Sequence, residues 1–277
     1  MSKKAQRRPI VIGNWKMNGD VAGNERLLGA LRAQLDRSLL DRVEVGICPP
    51  FPYVSQVATW LGDTGVTWGA QNVARTGNGA FTGEVSATML HDLRCTWVLV
   101  GHSERRRLFG ETGADVATKV ANALENGIRP VICVGETLEE RQSNVTERIL
   151  AGQLEAVVPV LAGIDAERYA IAYEPVWAIG TGLTATPAQA QSAHAFLRRS
   201  LEQGLSRSEK NGAGEPIAAR VRILYGGSVK ADNLFELIEQ PDVDGGLVGG
   251  ASLIAEDFVA ICKAVMTSRR GTPNERD

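Results

Sequence analysis

Several things are scarce in this sequence of 277 residues, and each scarcity closes off a class of function. Net charge is nearly absent: 30 Lys and Arg against 32 Asp and Glu leave a formal −2, so there is no broad field to hold nucleic acid or a membrane surface. Any anionic ligand must be held by a local site. No apolar run approaches the roughly 18 residues a membrane span needs, and the start of the chain lacks the apolar core of a signal peptide. The four cysteines, Cys48, Cys95, Cys133 and Cys262, are far apart with no C-x-x-C pair, and they read as buried reduced thiols of a cytoplasmic protein. Only three histidines occur, so ligand spacing for zinc is missing; a carboxylate-held magnesium is not suggested either.

What is present is a single pattern repeated eight times. PIVIGNW, VEVGICP, VTWGAQN, TWVLVGH, PVICVGE, YAIAYEP, VRILYGG and DGGLVGG are short apolar runs, each closing on glycine or a polar turn. Their near-continuous apolar character is that of parallel strands buried on both faces. The intervals leave room for a crossover helix each time. Helical signals fill them: ERLLGALRAQLDRSLL has apolar residues at three and four spacing, and VATKVANALENG stops at Asn126-Gly127. Eight such units predict an α/β fold, a single (β/α)8 barrel over 1–277, with flexible tails at about 1–8 and 268–277. The basic start, with Lys3, Lys4, Arg7 and Arg8, reads as a frayed solvated tail. A doubly wound sheet would place G-x-G-x-x-G after the first strand; GNWKMNG stands there instead. SRSEKNGAGEP, residues 206–216, reads as an exposed loop insertion rather than a domain boundary.

In a barrel the C-terminal strand ends meet at one mouth, which turns a sequence list into a candidate site. Past the runs come Asn14 and Lys16; His102, Ser103 and Glu104; Glu136; Glu174; Gly226-Gly227-Ser228; and Gly249-Gly250. His91 and His194 fall in helical segments and read as surface or packing residues. His102 alone stands at a strand end, before a helix start with Ser103 as cap; a helix N-terminus disfavours imidazolium and would keep the ring neutral. On position it is either a residue capping a strand or a functional group. Lys16, between Trp15 and Met17, is either a side chain snorkelling from an apolar rim or a fixed cation beside Asn14 for a developing oxyanion. The glycine pairs after runs seven and eight suit close backbone approach to phosphate.

Eight motifs in order also carry a resemblance: NWKMN at 14–18, GAQN at 69–72, GAFTGE at 79–84, GHSERR at 101–106, CVGETLEER at 133–141, AYEPVWAIGTG at 172–182, YGGSV at 225–229 and GLVGGASL at 246–253. Together they resemble the triosephosphate isomerase family over nearly the whole chain. The resemblance implies cofactor-free, metal-free interconversion of dihydroxyacetone phosphate and D-glyceraldehyde 3-phosphate, a step of glycolysis and gluconeogenesis. Glu174 would be the base, His102 a neutral electrophile and proton shuttle, and Lys16 with Asn14 the stabilisers of the enediolate. Gly180, Ser228, Gly249 and Gly250 would bind phosphate, with Glu104 in support. The resemblance further implies a homodimer in the cytoplasm, with Thr82 on the loop 76–84 entering the neighbour's site. PVWAIGTG would be a lid: Pro175, Val176 and Trp177 a stiff hinge, Ala178 and Ile179 an apolar tip, Gly180 a phosphate donor. The next helix would start at a Thr186 cap, with Pro187 and Gln189. Where the family commonly has lysine after GTG, this chain has Leu183, which bears on lid closure. Competing readings are another phosphate-binding barrel isomerase or epimerase, and a barrel with a binding or adhesion role.

Overall fold

All eight apolar runs become strands in the computed structural model, which describes residues 7–206 and 216–268. They are β1 (Ile10–Asn14), β2 (Glu44–Cys48), β3 (Thr67–Ala70), β4 (Trp97–Val100), β5 (Arg129–Val134), β6 (Ala170–Tyr173), β7 (Arg222–Tyr225) and β8 (Gly245–Val248). Every neighbouring pair is parallel, and β8 pairs back onto β1 to close the barrel, Ile10 opposite Gly245. Helices occupy the intervals on the outside.

The lack of alternation in the runs has a simple cause. Alternate residues face two different apolar regions. Ile10, Ile12, Leu99, Val131, Cys133, Ala170, Ala172 and Leu224 fill the barrel interior. Their neighbours Val11, Val98, Val100, Ile132, Ile171 and Ile223 pack outward against the helices. All four cysteines are buried and free.

Closure demands a glycine where β8 meets β1. Gly245 has φ +146°, and a Cβ there would lie 1.8 Å from the Ile10 carbonyl oxygen. Beside it, the fully buried Asp244 accepts from Arg7 Nε at 2.7 Å, Arg198 Nη2 at 2.8 Å and the Ile223 N–H at 3.0 Å. Arg7 also donates to the carbonyls of Ala219 and Pro241, and Arg8 to that of Leu40. The two arginines are therefore not tail: they staple the first strand to the barrel floor. At the other end the last helix runs Ala255–Thr267, and Ser268 at its C-cap is buried, its hydroxyl donating to the Val265 carbonyl. The remaining tail residues, 1–6 and 269–277, and the inner part of the 206–216 insertion lie outside the described residues.

The first helical segment is split. Val21–Gln34 ends at Leu35, and Asp36 caps a second helix, Arg37–Arg42, by accepting the Leu39 N–H. An apolar period continues across the break because both pieces pack on the same core, so periodicity did not show it. Asn126-Gly127 does end its helix, with Gly127 at φ +75°. Among the described residues no helix is long and apolar enough to cross a membrane.

His91 is exposed on the short helix Ala87–Asp92, whereas His194 is fully buried on Pro187–Leu205. Its Nδ1 lies 3.1 Å from the Asp242 carbonyl and its ring meets Tyr173 edge-on at 5.7 Å. Burial, outweighing the nearby carboxylates Asp244 and Asp242, pushes this imidazole down to about 4. The fold accepts the neutral ring, while an unfolded histidine titrates near 6.5. Its share of stability is therefore complete above about pH 6.5 and is lost as pH falls toward 4. In urea titrations the midpoint of the wild type should drop over that window, and His194→Gln should flatten the drop; equal slopes would contradict the assignment.

Candidate active site

Asn14, Lys16, His102, Glu174, Gly180, Ser228, Gly249 and Gly250 all line one cavity of about 630 Å³ at the C-terminal mouth of the barrel. Five loops thus meet at one point although up to 236 positions separate them in sequence. Chain geometry at each strand end explains how.

Lys16 has φ +52°, a left-handed conformation that costs a non-glycine residue of order 1 kcal/mol or more. The surroundings hold it there. Its N–H donates to Asn14 Oδ1 at 3.0 Å, and its carbonyl accepts from Gln71 Nε2 at 2.8 Å; the same amide also donates to the Cys48 carbonyl. The ammonium is directed to Glu104 Oε1, 2.6 Å away. Burial raises the Glu104 carboxyl, but the Lys16 hydrogen bond and the neighbouring cations outweigh it and hold the group below its ordinary value. The ion pair therefore persists at neutral pH.

His102 follows β4 and is nearly buried. The cap of the helix Ser103–Phe109 is His102 itself rather than Ser103: its Nδ1 accepts the Glu104 N–H at 3.2 Å. A ring nitrogen that accepts a backbone N–H carries no proton, so the proton sits on Nε2 and the ring is neutral. Nε2 lies 3.0 Å from Glu174 Oε1, and Glu174 Oε2 accepts the Ser103 N–H at 2.9 Å. Glu174 is 2% exposed. Its main chain is pressed against Gly135, just past β5, where a Cβ would fall 1.7 Å from the Glu174 carbonyl oxygen. Only glycine fits there. Beneath the carboxylate, Cys133 is held as a neutral thiol, raised well above its ordinary value by burial and then by the Glu174 charge.

The segment after Glu174 is anchored at both ends. Glu136, fully buried, accepts at Oε1 from Tyr173 Oη (3.0 Å), Trp177 Nε1 (3.0 Å) and Arg141 Nη1 (3.2 Å), and its carbonyl accepts the Val176 N–H. The Arg141 guanidinium also lies over the Trp177 ring at 4.8 Å. At the far end the Ala185 N–H donates to Tyr225 Oη at 3.2 Å, and the Thr186–Gln189 capping box starts the next helix with Pro187 at its first turn. Between these anchors Gly180 and Gly182 have φ +70° and +80°, and Leu183 is 54% exposed. The expected apolar tip divides: Ile179 faces the cavity, whereas Ala178 is buried within a short 3-10 turn, Val176–Ala178.

A family model for triosephosphate isomerase matches residues 9–265. The chain belongs to the triosephosphate isomerase family. Relatives that carry this name include those of Thiobacillus denitrificans, 53% identical over 258 residues, and Nitrosomonas europaea, 52% identical over 259. Each alignment covers 93% of this chain and 98% of the relative. That of Nitrosococcus oceani is 50% identical over 259 residues, 93% of this chain and 99% of its own.

Within this family member two neighbours of the cavity escaped a reading by residue type. Gln71 sits in the GAQN motif but has no chemistry of its own; its role is to hold two carbonyls. Glu136 stands at a strand end, yet nothing in sequence says that three donors converge on one of its oxygens. Thr82 is on an exposed loop, outside the cavity. Among the described residues no group of histidine, cysteine and acidic side chains could hold a metal ion.

Glu136→Gln keeps the volume but removes the charge that three donors share. The expected outcome is a loss of about 1.5–3 kcal/mol of unfolding free energy, with faster hydrogen exchange over residues 175–185. Unchanged exchange there would show that Glu136 does not anchor the segment.

Proposed function

We propose that this chain is an intramolecular aldose-ketose isomerase that interconverts dihydroxyacetone phosphate and D-glyceraldehyde 3-phosphate through an enediolate. The observation that carries the reading is the 3.0 Å contact between a buried carboxylate, Glu174, and the protonated nitrogen of a neutral imidazole, His102. A base and an electrophile side by side are what proton abstraction next to a carbonyl requires.

In this reading Glu174 releases the Ser103 N–H, removes a proton from the carbon beside the carbonyl and returns it to the adjacent carbon. His102 Nε2–H donates to the carbonyl oxygen as negative charge develops, and the ring then moves the proton between the two oxygens. Lys16 and Asn14 stabilise the enediolate oxygens, while Glu104 holds the Lys16 ammonium in line. The N–H groups of Gly180, Ser228, Gly249 and Gly250 bind the phosphate; no side chain is needed there because none of the glycines carries a Cβ to keep the ligand away. Closure of 175–182 excludes water, which matters because an exposed enediol phosphate eliminates phosphate. A positioned base supplies about 10²- to 10⁴-fold, so most of the remaining rate comes from the preorganised donors.

The same reading makes the chain a homodimer of the cytoplasm, acting in glycolysis and gluconeogenesis without a cofactor. Support for the dimer comes from the loop 76–84, which leaves Phe81 and Thr82 exposed, and from Met17, 95% exposed beside Lys16. Thr82 would reach toward the partner's mouth. The whole chain would then be one domain with short tails.

Purified protein should isomerise triose phosphates in the presence of EDTA; an inert wild type would sink the proposal. Glu174→Asp withdraws the carboxylate by one methylene, and a misplacement of about 1 Å costs on the order of 10²-fold. The expected loss falls on kcat, with KM little changed.

Leu183 lies at the far hinge of the lid, exposed and without a polar partner for its side chain. Leu183→Lys, assayed beside the wild type, is expected to change kcat and KM together through the closure rate. If both constants and the closure rate stay the same, the leucine is neutral.

A further inference from the structure

Four charged residues line the mouth cavity: Lys16, Lys230, Glu174 and Asp257. Their charges cancel as a set, and they are not equally free to act. The Lys16 ammonium is 2.6 Å from Glu104, so much of its charge is already compensated, and Glu174 is turned toward His102 and Ser103. Lys230 takes part in none of the ion pairs among the described residues. It stands two residues after Ser228, and one side chain clamps both: Asn233 Oδ1 accepts the Lys230 N–H at 2.8 Å while Asn233 Nδ2 donates to the Ser228 carbonyl at 3.0 Å. The lysine therefore has a fixed backbone at the glycine-lined end of the cavity. Asp257, on the helix Ala255–Thr267, lines the same cavity as an exposed carboxylate, a charge that disfavours an incoming anion.

We propose that Lys230 is a specificity-determining residue for the phosphate end of the substrate, attracting the dianion and offsetting Asp257, a role that rests on the isomerase reading above. The backbone N–H groups orient the phosphate; the lysine supplies a full positive charge, held in no ion pair, that they lack. Because the side chain is exposed, the attraction acts through water at a range of several ångströms and is screened by salt. The proposal concerns binding and encounter, so it predicts an effect on KM and little on kcat. A substrate without a phosphate should not sense the lysine.

The test compares wild type, Lys230→Met and Lys230→Arg at low and high ionic strength, with D-glyceraldehyde 3-phosphate, with D-glyceraldehyde, and with inorganic phosphate as competing anion. At low salt the methionine variant should show KM for the phosphorylated substrate and the inhibition constant for phosphate both raised about fivefold. Its kcat should stay within about twofold, its slow turnover of D-glyceraldehyde should be unchanged, and arginine should restore the wild-type constants. At about 0.5 M salt the difference should shrink below about twofold. Equal KM and phosphate inhibition in wild type and methionine variant at low salt would overturn the inference, and so would an equal loss toward D-glyceraldehyde, which marks a structural defect. If the wild type proves inert toward triose phosphates, calorimetric binding of inorganic phosphate still decides the role of Lys230, separately from the isomerase reading.

Discussion

Closure of β8 onto β1 is the constraint on which everything else rests. An open sheet of eight parallel strands would spread its C-terminal ends over tens of ångströms, at about 4.8 Å per strand. Closing it removes both edges and gathers those ends around one rim. The closure depends on a contact that only glycine allows, Gly245 against the Ile10 carbonyl, and on a buried carboxylate, Asp244, neutralised by two arginines. Arg7 and Arg198 reach it from 237 and 46 positions away in the chain. Removing one partner of such a buried pair costs more than the pair contributes, so the floor of the barrel is fixed by charge as much as by packing.

At the other rim the same logic of compensation recurs with a different result. Charges here are paired but not saturated. Glu104 restrains Lys16, and the Ser103 N–H and His102 restrain Glu174. The tautomer of His102 follows from a single backbone hydrogen bond at its Nδ1, which leaves Nε2–H directed at the cavity. A helix start thus sets which nitrogen of its own cap carries the proton. Strain is used in the same way: Lys16 is held in a left-handed conformation by Asn14 and Gln71, two amides that have no charge to contribute but fix where the charge goes.

The segment after Glu174 joins the two themes. Its apolar residues are not idle, since Trp177 is tied to Glu136 and Arg141 and Ala178 is buried, while the glycines beyond them carry the freedom to move. The carboxylate and the cavity-lining Ile179 and Gly180 share one stretch of chain, tied between them to Glu136 at Val176 and Trp177.

The sequence by itself determined the architecture and the membership of the cavity. Continuous apolar runs report burial on both faces, and the rule that strand ends converge brings Asn14, Lys16, His102, Glu174 and the glycine pairs to one mouth. Those signals are local, one residue type at one position in a repeat. The tertiary structure decided which particular atoms pair. It made His102 rather than Ser103 the cap, divided the long first helix at Asp36, buried Ala178, and anchored Arg7 and Arg8 where the composition of the start suggested a loose tail. It also gave Glu136, Gln71 and Lys230 their places. The anchors of Glu136, Gln71 and Arg7 could not be read in advance, because a hydrogen bond across 37, 55 or 237 positions leaves no period and no motif in the chain that makes it. The caps at His102 and Asp36 rest on contacts two and three residues long, where residue type alone does not choose between neighbouring cap candidates.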